Sequence, residues 1–236
     1  KDTDIVVALT GNPNVGKSTV FNAITGMNQH TGNWPGKTVS TAIGYYNTRN
    51  KKIAFVDLPG CYSLMAHSPE EEIASEYICS GYADITLVVC DATCLERNLI
   101  LAYQTLEAVN NVILCVNLID ESEKKGIKIN FRKLEEDLGV PVIPICARKK
   151  RGIKELINII IDYNTLKEAQ HKKYIKYSKE IEEKINERLN NISSNNNEAV
   201  NKRWLAINEI ISENSIENFE DIVASSTVKT AEDTAN

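Results

Sequence analysis

Residues 11 to 18, Gly11-Asn12-Pro13-Asn14-Val15-Gly16-Lys17-Ser18, set two glycines, a lysine and a hydroxyl at the spacing G-x-x-x-x-G-K-[ST]. Glycines let successive backbone N–H groups wrap an anion, the lysine can reach the β and γ phosphates of a nucleoside triphosphate, and the serine hydroxyl can ligate Mg2+. The apolar run Ile5 to Leu9 precedes this loop and helical spacing from Ser18 to Ile24 follows it, the strand-loop-helix context that the motif requires. That helix aims the positive end of its dipole at the same phosphates. Asn12, Pro13, Asn14, Val15, Gly16, Lys17, Ser18 and Thr19 are therefore candidate nucleotide-binding residues. By itself the loop says only nucleoside triphosphate.

Asp57-Leu58-Pro59-Gly60 ends the run Ile53 to Val56, which puts a carboxylate at the carboxyl end of a strand, where it can hold Mg2+ through water. Gly60 can bring its N–H to the γ phosphate. Asn117-Leu118-Ile119-Asp120 follows Val112 to Val116 and separates guanine from adenine. Asp120 can accept from guanine N1–H and the exocyclic amine, whereas adenine lacks that amine and would leave the carboxylate unpaired. The segment resembles the Asn-Lys-x-Asp base-reading motif of GTPases with Leu118 in place of lysine, which predicts weaker affinity and faster exchange. Cys146-Ala147-Arg148, after the last apolar run, resembles the Ser-Ala-Lys element whose alanine N–H faces guanine O6.

Between the P-loop helix and the next strand, Gly32-Asn33-Trp34-Pro35-Gly36-Lys37-Thr38-Val39 reads as the first switch. Asn33, Trp34, Pro35, Gly36, Lys37 and Thr38 are candidate nucleotide contacts, and Thr38 is the candidate second hydroxyl ligand of Mg2+, drawn in by the γ phosphate. A plain turn with an exposed tryptophan is the competing reading. The residue after Asp-x-x-Gly, often a glutamine that orients the attacking water, is Cys61, and a thiol orients water poorly. Hydrolysis must then rest on charge stabilisation and backbone positioning, which predicts slow turnover. Asn14 adds a carbonyl that can help coordinate a monovalent cation between the β and γ phosphates; its plainer role is a local hydrogen bond within the loop. Lys17, Asn14, Thr38 and Gly60 are the candidate catalytic groups.

These residues need a scaffold. The runs Ile5–Leu9, Ile53–Val56, Ile85–Cys90, Val112–Val116 and Val142–Ile145 are short and rich in β-branched residues, as buried strands are. They alternate with helical spacing over Ser18–Ile24, Glu70–Ile78, Leu95–Val109, Phe131–Leu138 and Ile153–Tyr163, which predicts a parallel sheet covered on both faces. Val39–Thr48 should pair with Ile53–Val56 as an antiparallel hairpin at the sheet edge, so the expected fold is an α/β P-loop GTPase with a six-stranded, mostly parallel sheet. Ser68-Pro69-Glu70-Glu71 sets a cap hydroxyl, a proline at the first helical position and a carboxylate three residues on, a helix start.

Past Lys167 glycine and proline vanish and Lys, Glu and Asn become dense, so residues 1–166 and 167–236 read as two domains. In the second, Ile175, Ser178, Ile181, Ile185, Leu189 and Ile192 recur at helical spacing, as do Trp204, Ile207 and Ile211, which predicts two amphipathic helices joined by Asn190–Asn197. Ser225–Asn236 should fray. The chain has 236 residues, a net charge of −5 and a pI near 5.4, which disfavours a nucleic-acid partner. No apolar run approaches the roughly 20 residues that span a bilayer, so this stretch is expected to be soluble. Six cysteines without CxxC pairs fit a reducing cytosol, with Cys90, Cys115 and Cys146 as small buried hydrophobes. His30, His67 and His171 are scattered and give no support for iron binding by this stretch.

Gly11–Ser18, Asn33–Val39, Asp57–Leu64 (Asp-Leu-Pro-Gly-x-Tyr-Ser-Leu) and Asn117–Asp120 together resemble the amino-terminal G domain of the ferrous iron transport protein B family. Lys202-Arg203-Trp204-Leu205-Ala206 resembles the Arg-Trp-Leu-Ala segment of that family's helical guanine-nucleotide-dissociation-inhibitor domain. The resemblance implies GTP and GDP as ligands, Mg2+ at Ser18, Thr38 and Asp57, K+ at Asn14 with potassium-stimulated hydrolysis, and a multispanning permease domain further along the polypeptide. It also implies a place at the cytoplasmic face of the bacterial plasma membrane and regulation of Fe2+ uptake; whether the chain forms a homo-oligomer is left open by the sequence. Two other functions remain open from the residues: a soluble potassium-dependent GTPase of ribosome or RNA maturation, and a nucleotide-sensing scaffold with negligible turnover.

Overall fold

The computed structural model describes residues 3–26, 29–33, 40–163, 175–192, 200–213 and 218–224. Trp34 to Val39, His171 and the expected domain boundary near residue 166 lie outside these residues, as do most of the Asn190–Asn197 connection and Ser225–Asn236.

Among the described residues seven strands form one sheet: β1 (Ile5–Gly11), β2 (Gln29–Asn33), β3 (Ser40–Asn47), β4 (Lys52–Asp57), β5 (Ile85–Asp91), β6 (Val112–Asn117) and β7 (Val142–Pro144), in the order β2-β3-β4-β1-β5-β6-β7. β4, β1, β5, β6 and β7 pair in parallel, and β3 runs antiparallel to β4, with Ile43 opposite Val56. The expected mostly parallel P-loop sheet is there, with one addition. β2 pairs antiparallel outside β3, so the antiparallel strand is one place in from the edge. Gln29-His30-Thr31-Gly32-Asn33 has no apolar alternation to betray a strand; its pairing is a matter of backbone hydrogen bonds on an edge.

The strands alternate side chains between two cores, as the two-residue strand period requires. Val7 and Leu9 join Val20, Phe21 and Ile24 of α1 (Lys17–Thr25) and Leu156 and Ile160 of α6 (Ile153–Ile161) on one face. Ala8, Val88 and Leu114 face the other, under α2 (Pro69–Cys79), α3 (Leu95–Ala108) and α5 (Phe131–Leu138). α4 (Ile119–Lys124) is one short helix directly after the base-reading segment, too brief to produce a periodic pattern.

The carboxyl-terminal helices α7 (Lys179–Asn191), α8 (Lys202–Ser212) and α9 (Phe219–Ala224) extend the second core: Ile181, Ile185, Trp204, Ile207, Phe219 and Ile222 are buried in the same apolar cluster as α2 and α3. Trp204 meets Phe219 edge-on, with centroids 5.9 Å apart. The two amphipathic helices expected from the isoleucine spacing are α7 and α8, which pack against each other, with α8 also against α3.

Candidate functional site

The P-loop leaves β1 at Gly11 and enters α1 at Lys17. Gly16 caps α1 with φ 80°, and a Cβ there would stand 2.5 Å from Asn117 Nδ2, so both backbone and space demand glycine. No side chain caps α1 among the described residues, which leaves its first-turn N–H groups facing outward for an anion. Asn12, Pro13, Asn14, Gly16, Lys17, Ser18, Thr19 and Gly60 line one cleft of about 340 Å³. Clefts of about 530 and 480 Å³ lie elsewhere, around Ile127–Ile129, without this concentration of amide, ammonium and hydroxyl donors.

β4 delivers Asp57 to the same cleft. Lys17 Nζ pairs with Asp57 Oδ1, and Ser18 Oγ donates to Asp57 Oδ2 at 3.2 Å. A hydroxyl and a carboxylate brought together are hard oxygen donors that fit Mg2+. Gly60 packs directly on Pro13: a Cβ at Gly60 would lie 3.3 Å from Pro13 Cα, so the second phosphate-sensing segment touches the first through backbone. Asn14 is exposed at the mouth and holds φ 68°, a left-handed conformation that asparagine tolerates better than most residues. Asn12 is buried, and its Oδ1 has no hydrogen-bond partner among the described residues.

Asn117 is the strut of the base side. Its Nδ2 donates to Val15 O at 3.1 Å and its Oδ1 accepts from Ala147 N at 3.1 Å, joining the P-loop, the end of β6 and the loop after β7. Ala147 N–H, expected to face guanine O6, is thus directed to Asn117; a buried amide needs an acceptor and the asparagine carbonyl supplies it. Asp120 lies beside this strut, 8% exposed, with its carboxyl lowered to about 2 by the Cys146 thiol and then by Lys149. Leu118 stands half-buried at φ 62°. Arg148 is exposed. Of the first switch, the backbone of Asn33 ends β2 opposite Ser40, and Trp34, Pro35, Gly36, Lys37 and Thr38 lie outside the described residues.

Cys61 points away from the cleft. It is 0% exposed, its N–H donates to Gly11 O at 3.1 Å and its thiol lies 3.4 Å from Thr10 Oγ1, with burial pushing the thiol up. The residue that follows Asp-x-x-Gly here belongs to the core.

Two functional contacts had no local sequence signal. Glu71, read as a capping carboxylate, accepts instead from Tyr62 N at 2.9 Å and His67 N at 3.0 Å and so ties down the loop after Gly60. Burial pushes its carboxyl up, but the His67, Tyr62 and Ser63 amides outweigh that and hold it below its ordinary value. Gln104 of α3 grips the same loop, accepting from Leu64 N at 2.7 Å and donating to Ser63 Oγ at 2.9 Å.

Sheet order, P-loop, Asp57 and the Asn117–Asp120 corner define a P-loop GTPase domain. Residues 5–160 match the family model described as Ferrous iron transport protein B, and the chain belongs to that family. It is 44% identical over 162 residues to the Fe(2+) transporter FeoB of Escherichia coli K12 and 43% identical to that of Salmonella typhimurium LT2, covering 67% of this chain and 21% of each transporter. The chain thus spans about a fifth of the length of those relatives.

Solved structures match over nearly all of it. The cytosolic domain of the T. maritima FeoB iron transporter in GDP form II superposes with a TM-score of 0.82 at 32% identity, covering 98% of this chain and 89% of that one. A point mutant of S. thermophilus NFeoB bound to GDP gives 0.77 at 34% identity, covering 96% and 84%. The isolated T. maritima FeoB G domain gives 0.63 at 39% identity, covering 68% and 98%. Among the described residues no helix is long and apolar enough to cross a membrane, and no group of three or more His, Cys, Asp or Glu side chains could hold a metal ion.

Proposed function

We propose that this chain is the nucleotide-operated part of a ferrous iron transporter: it binds GTP with Mg2+ and hydrolyses it slowly to GDP and phosphate. K+ raises that rate, and the nucleotide state regulates Fe2+ passage through a membrane permease domain of the same polypeptide, at the cytoplasmic face of the bacterial plasma membrane. The observation that carries the reading is Asn117, which locks the phosphate-facing loop to the base-facing corner in one buried strut. GDP in the matched T. maritima and S. thermophilus structures supports guanine as the base.

The P-loop amides and Lys17 bind and orient the β and γ phosphates, for which Lys17 must release Asp57. Ser18 and Asp57, with Thr38 of the first switch, would hold Mg2+, which would supply charge neutralisation at the phosphates. Asn14, exposed at the mouth of the cleft, offers its carbonyl to K+. Gly60 would offer its N–H to the γ phosphate, and Asn33 to Lys37 are further candidate nucleotide contacts. With Cys61 in the core, no side chain at that position orients water, so positioning falls to main-chain amides and turnover is slow.

Residues 1–166 form the G domain and 167–236 a guanine-nucleotide-dissociation-inhibitor-like domain, a division supported by the isolated T. maritima G domain, which 68% of this chain covers. Coupling between them runs through α3, where Gln104 holds the loop after Gly60 and Glu107, three residues on, holds Arg203 of α8. Phosphate release from GTP, measured in KCl and in NaCl, tests the reading: slow release in NaCl and several-fold faster release in KCl are expected. No release in either salt would overturn hydrolysis, and equal release would overturn the role of K+.

A further inference from the structure

The base-reading segment has leucine where GTPases carry lysine, yet Asp120 does have a lysine partner. Lys149 Nζ lies 3.1 Å from Asp120 Oδ2, with the Asp120 side chain 10% exposed and that of Lys149 61% exposed. Lys149 comes from a different loop, the turn Ala147–Lys149 after β7. That turn is closed tightly: Lys149 N donates to Cys146 O at 3.1 Å, Lys150 N to Ala147 O at 3.0 Å, and Cys146 and Arg151 exchange both of their backbone hydrogen bonds at 3.0 and 3.1 Å. Ile119 N also donates to Ile145 O at 3.4 Å, so the start of α4 and the loop that carries Lys149 are held in register. The cation nearest in sequence, Lys124, pairs with Glu121 at 3.0 Å on its own helix.

Resting on the guanine-nucleotide reading above, we propose that Lys149 is the positioning cation of base recognition in this chain, supplying from the loop after β7 the ammonium that Leu118 cannot. A buried carboxylate without a counter-charge tends to protonate or turn toward water, and either would cost the guanine contact. Lys149 fixes one oxygen of Asp120 and, together with the Cys146 thiol, keeps the group ionised. An ionised carboxylate has two oxygens and about four acceptor positions, so an ammonium on Oδ2 leaves room for guanine N1–H and the 2-amino group. The Asp120 carboxyl is held low first by the Cys146 thiol and then by Lys149, which agrees with this arrangement. The bonds of Lys149 run to Asp120 and, through its backbone, to Cys146 O, so its effect is expected at the base.

Affinities for GDP, for ADP and for inosine diphosphate (IDP), which lacks the 2-amino group, test this on the whole chain and its variants Lys149→Met, Lys149→Arg, Asp120→Ala and the Asp120→Ala/Lys149→Met double variant. Lys149→Met is expected to weaken GDP about two- to fivefold, the scale of a half-exposed ion pair. It should also lower the GDP-over-IDP ratio, with Lys149→Arg restoring both and Lys149→Met silent once Asp120 is alanine. A Lys149→Met chain with wild-type affinity and ratio, or one that weakens GDP equally in the Asp120→Ala background, would overturn the role of Lys149 while the guanine reading stands. A wild-type chain that binds ADP as well as GDP would overturn both.

Discussion

Glu107 and Arg203 form an ion pair at 3.1 Å between the last turn of α3 and the first turn of α8, with the Glu107 side chain 1% exposed and that of Arg203 13%. Tyr177 Oη donates to the other Glu107 oxygen at 3.1 Å, and the Arg203 guanidinium lies over the Tyr177 ring at 5.4 Å and pairs with Glu182 at 2.8 Å. Asn201 adds two bonds to the end of α3, Nδ2 to Glu107 O and N to Ala108 O, both at 2.9 Å. The junction is therefore a buried, satisfied polar network set into a continuous apolar core.

Removing one partner of such a pair strands the other. Glu107→Ala is expected to destabilise the chain by about 3 kcal/mol, at the low end for a broken buried pair because Glu182 still holds Arg203. If α3 carries the coupling, GDP affinity should fall as well, although residue 107 is no part of the P-loop cleft. Thermal unfolding together with GDP calorimetry checks it: lost stability with unchanged GDP affinity would leave Glu107 structural and contradict the coupling.

Glu71 links protonation to the loop after Gly60. Its folded pKa lies below its unfolded one, so its contribution is fully present above the ordinary carboxyl range and is lost as pH falls through the folded value. Glu71→Gln should therefore be less stable than wild type at neutral pH, by about 1–3 kcal/mol for weakened bonds to Tyr62 N and His67 N, with the gap narrowing below about pH 4. Unfolding curves for the two chains across pH 3 to 7 measure this; a gap independent of pH would exclude the carboxylate as its cause.

Asn117→Ala orphans the Val15 carbonyl and the Ala147 amide, both in the interior. We expect a loss of roughly 2–4 kcal/mol of stability and a fall in guanine nucleotide affinity larger than any single P-loop mouth substitution such as Thr19→Ala produces. Urea unfolding and nucleotide titration give both numbers.

Restoring glutamine at position 61 should not restore fast hydrolysis. The side chain there enters a filled core beside Thr10, so Cys61→Gln should cost about 1–3 kcal/mol by overpacking and leave the rate unimproved. A several-fold rate increase without loss of melting temperature would mean that residue 61 turns toward the nucleotide after all.

Residues close in sequence announce their chemistry locally. The P-loop spacing, Asp57 at a strand end and Asn117–Asp120 after another strand name their own surroundings, because strand-loop-helix patterning is local. The five parallel strands and seven of the helices follow from apolar periodicity. β2 escaped that reading because it is polar, and α4 because it is six residues long. Also hidden were the partners that meet across long separations: Gln104 with Leu64, Arg203 with Glu107, Lys149 with Asp120 and Ala147 with Asn117. No periodicity encodes such pairs; packing of the sheet and its helices creates them. Cys61 was read for its chemistry, and only the turn of the chain after Gly60 reveals that it packs into the core.

Calorimetric titration of the wild-type chain and Asp120→Asn with GDP, ADP and xanthosine diphosphate bears most directly on the whole account. Wild type is expected to bind GDP far more tightly than ADP. Asp120→Asn is expected to exchange that preference for xanthosine diphosphate, whose 2-carbonyl can accept from the new amide where guanine offers an amine. Equal affinity of wild type for GDP and ADP, or a base preference unmoved by Asp120→Asn, would contradict it.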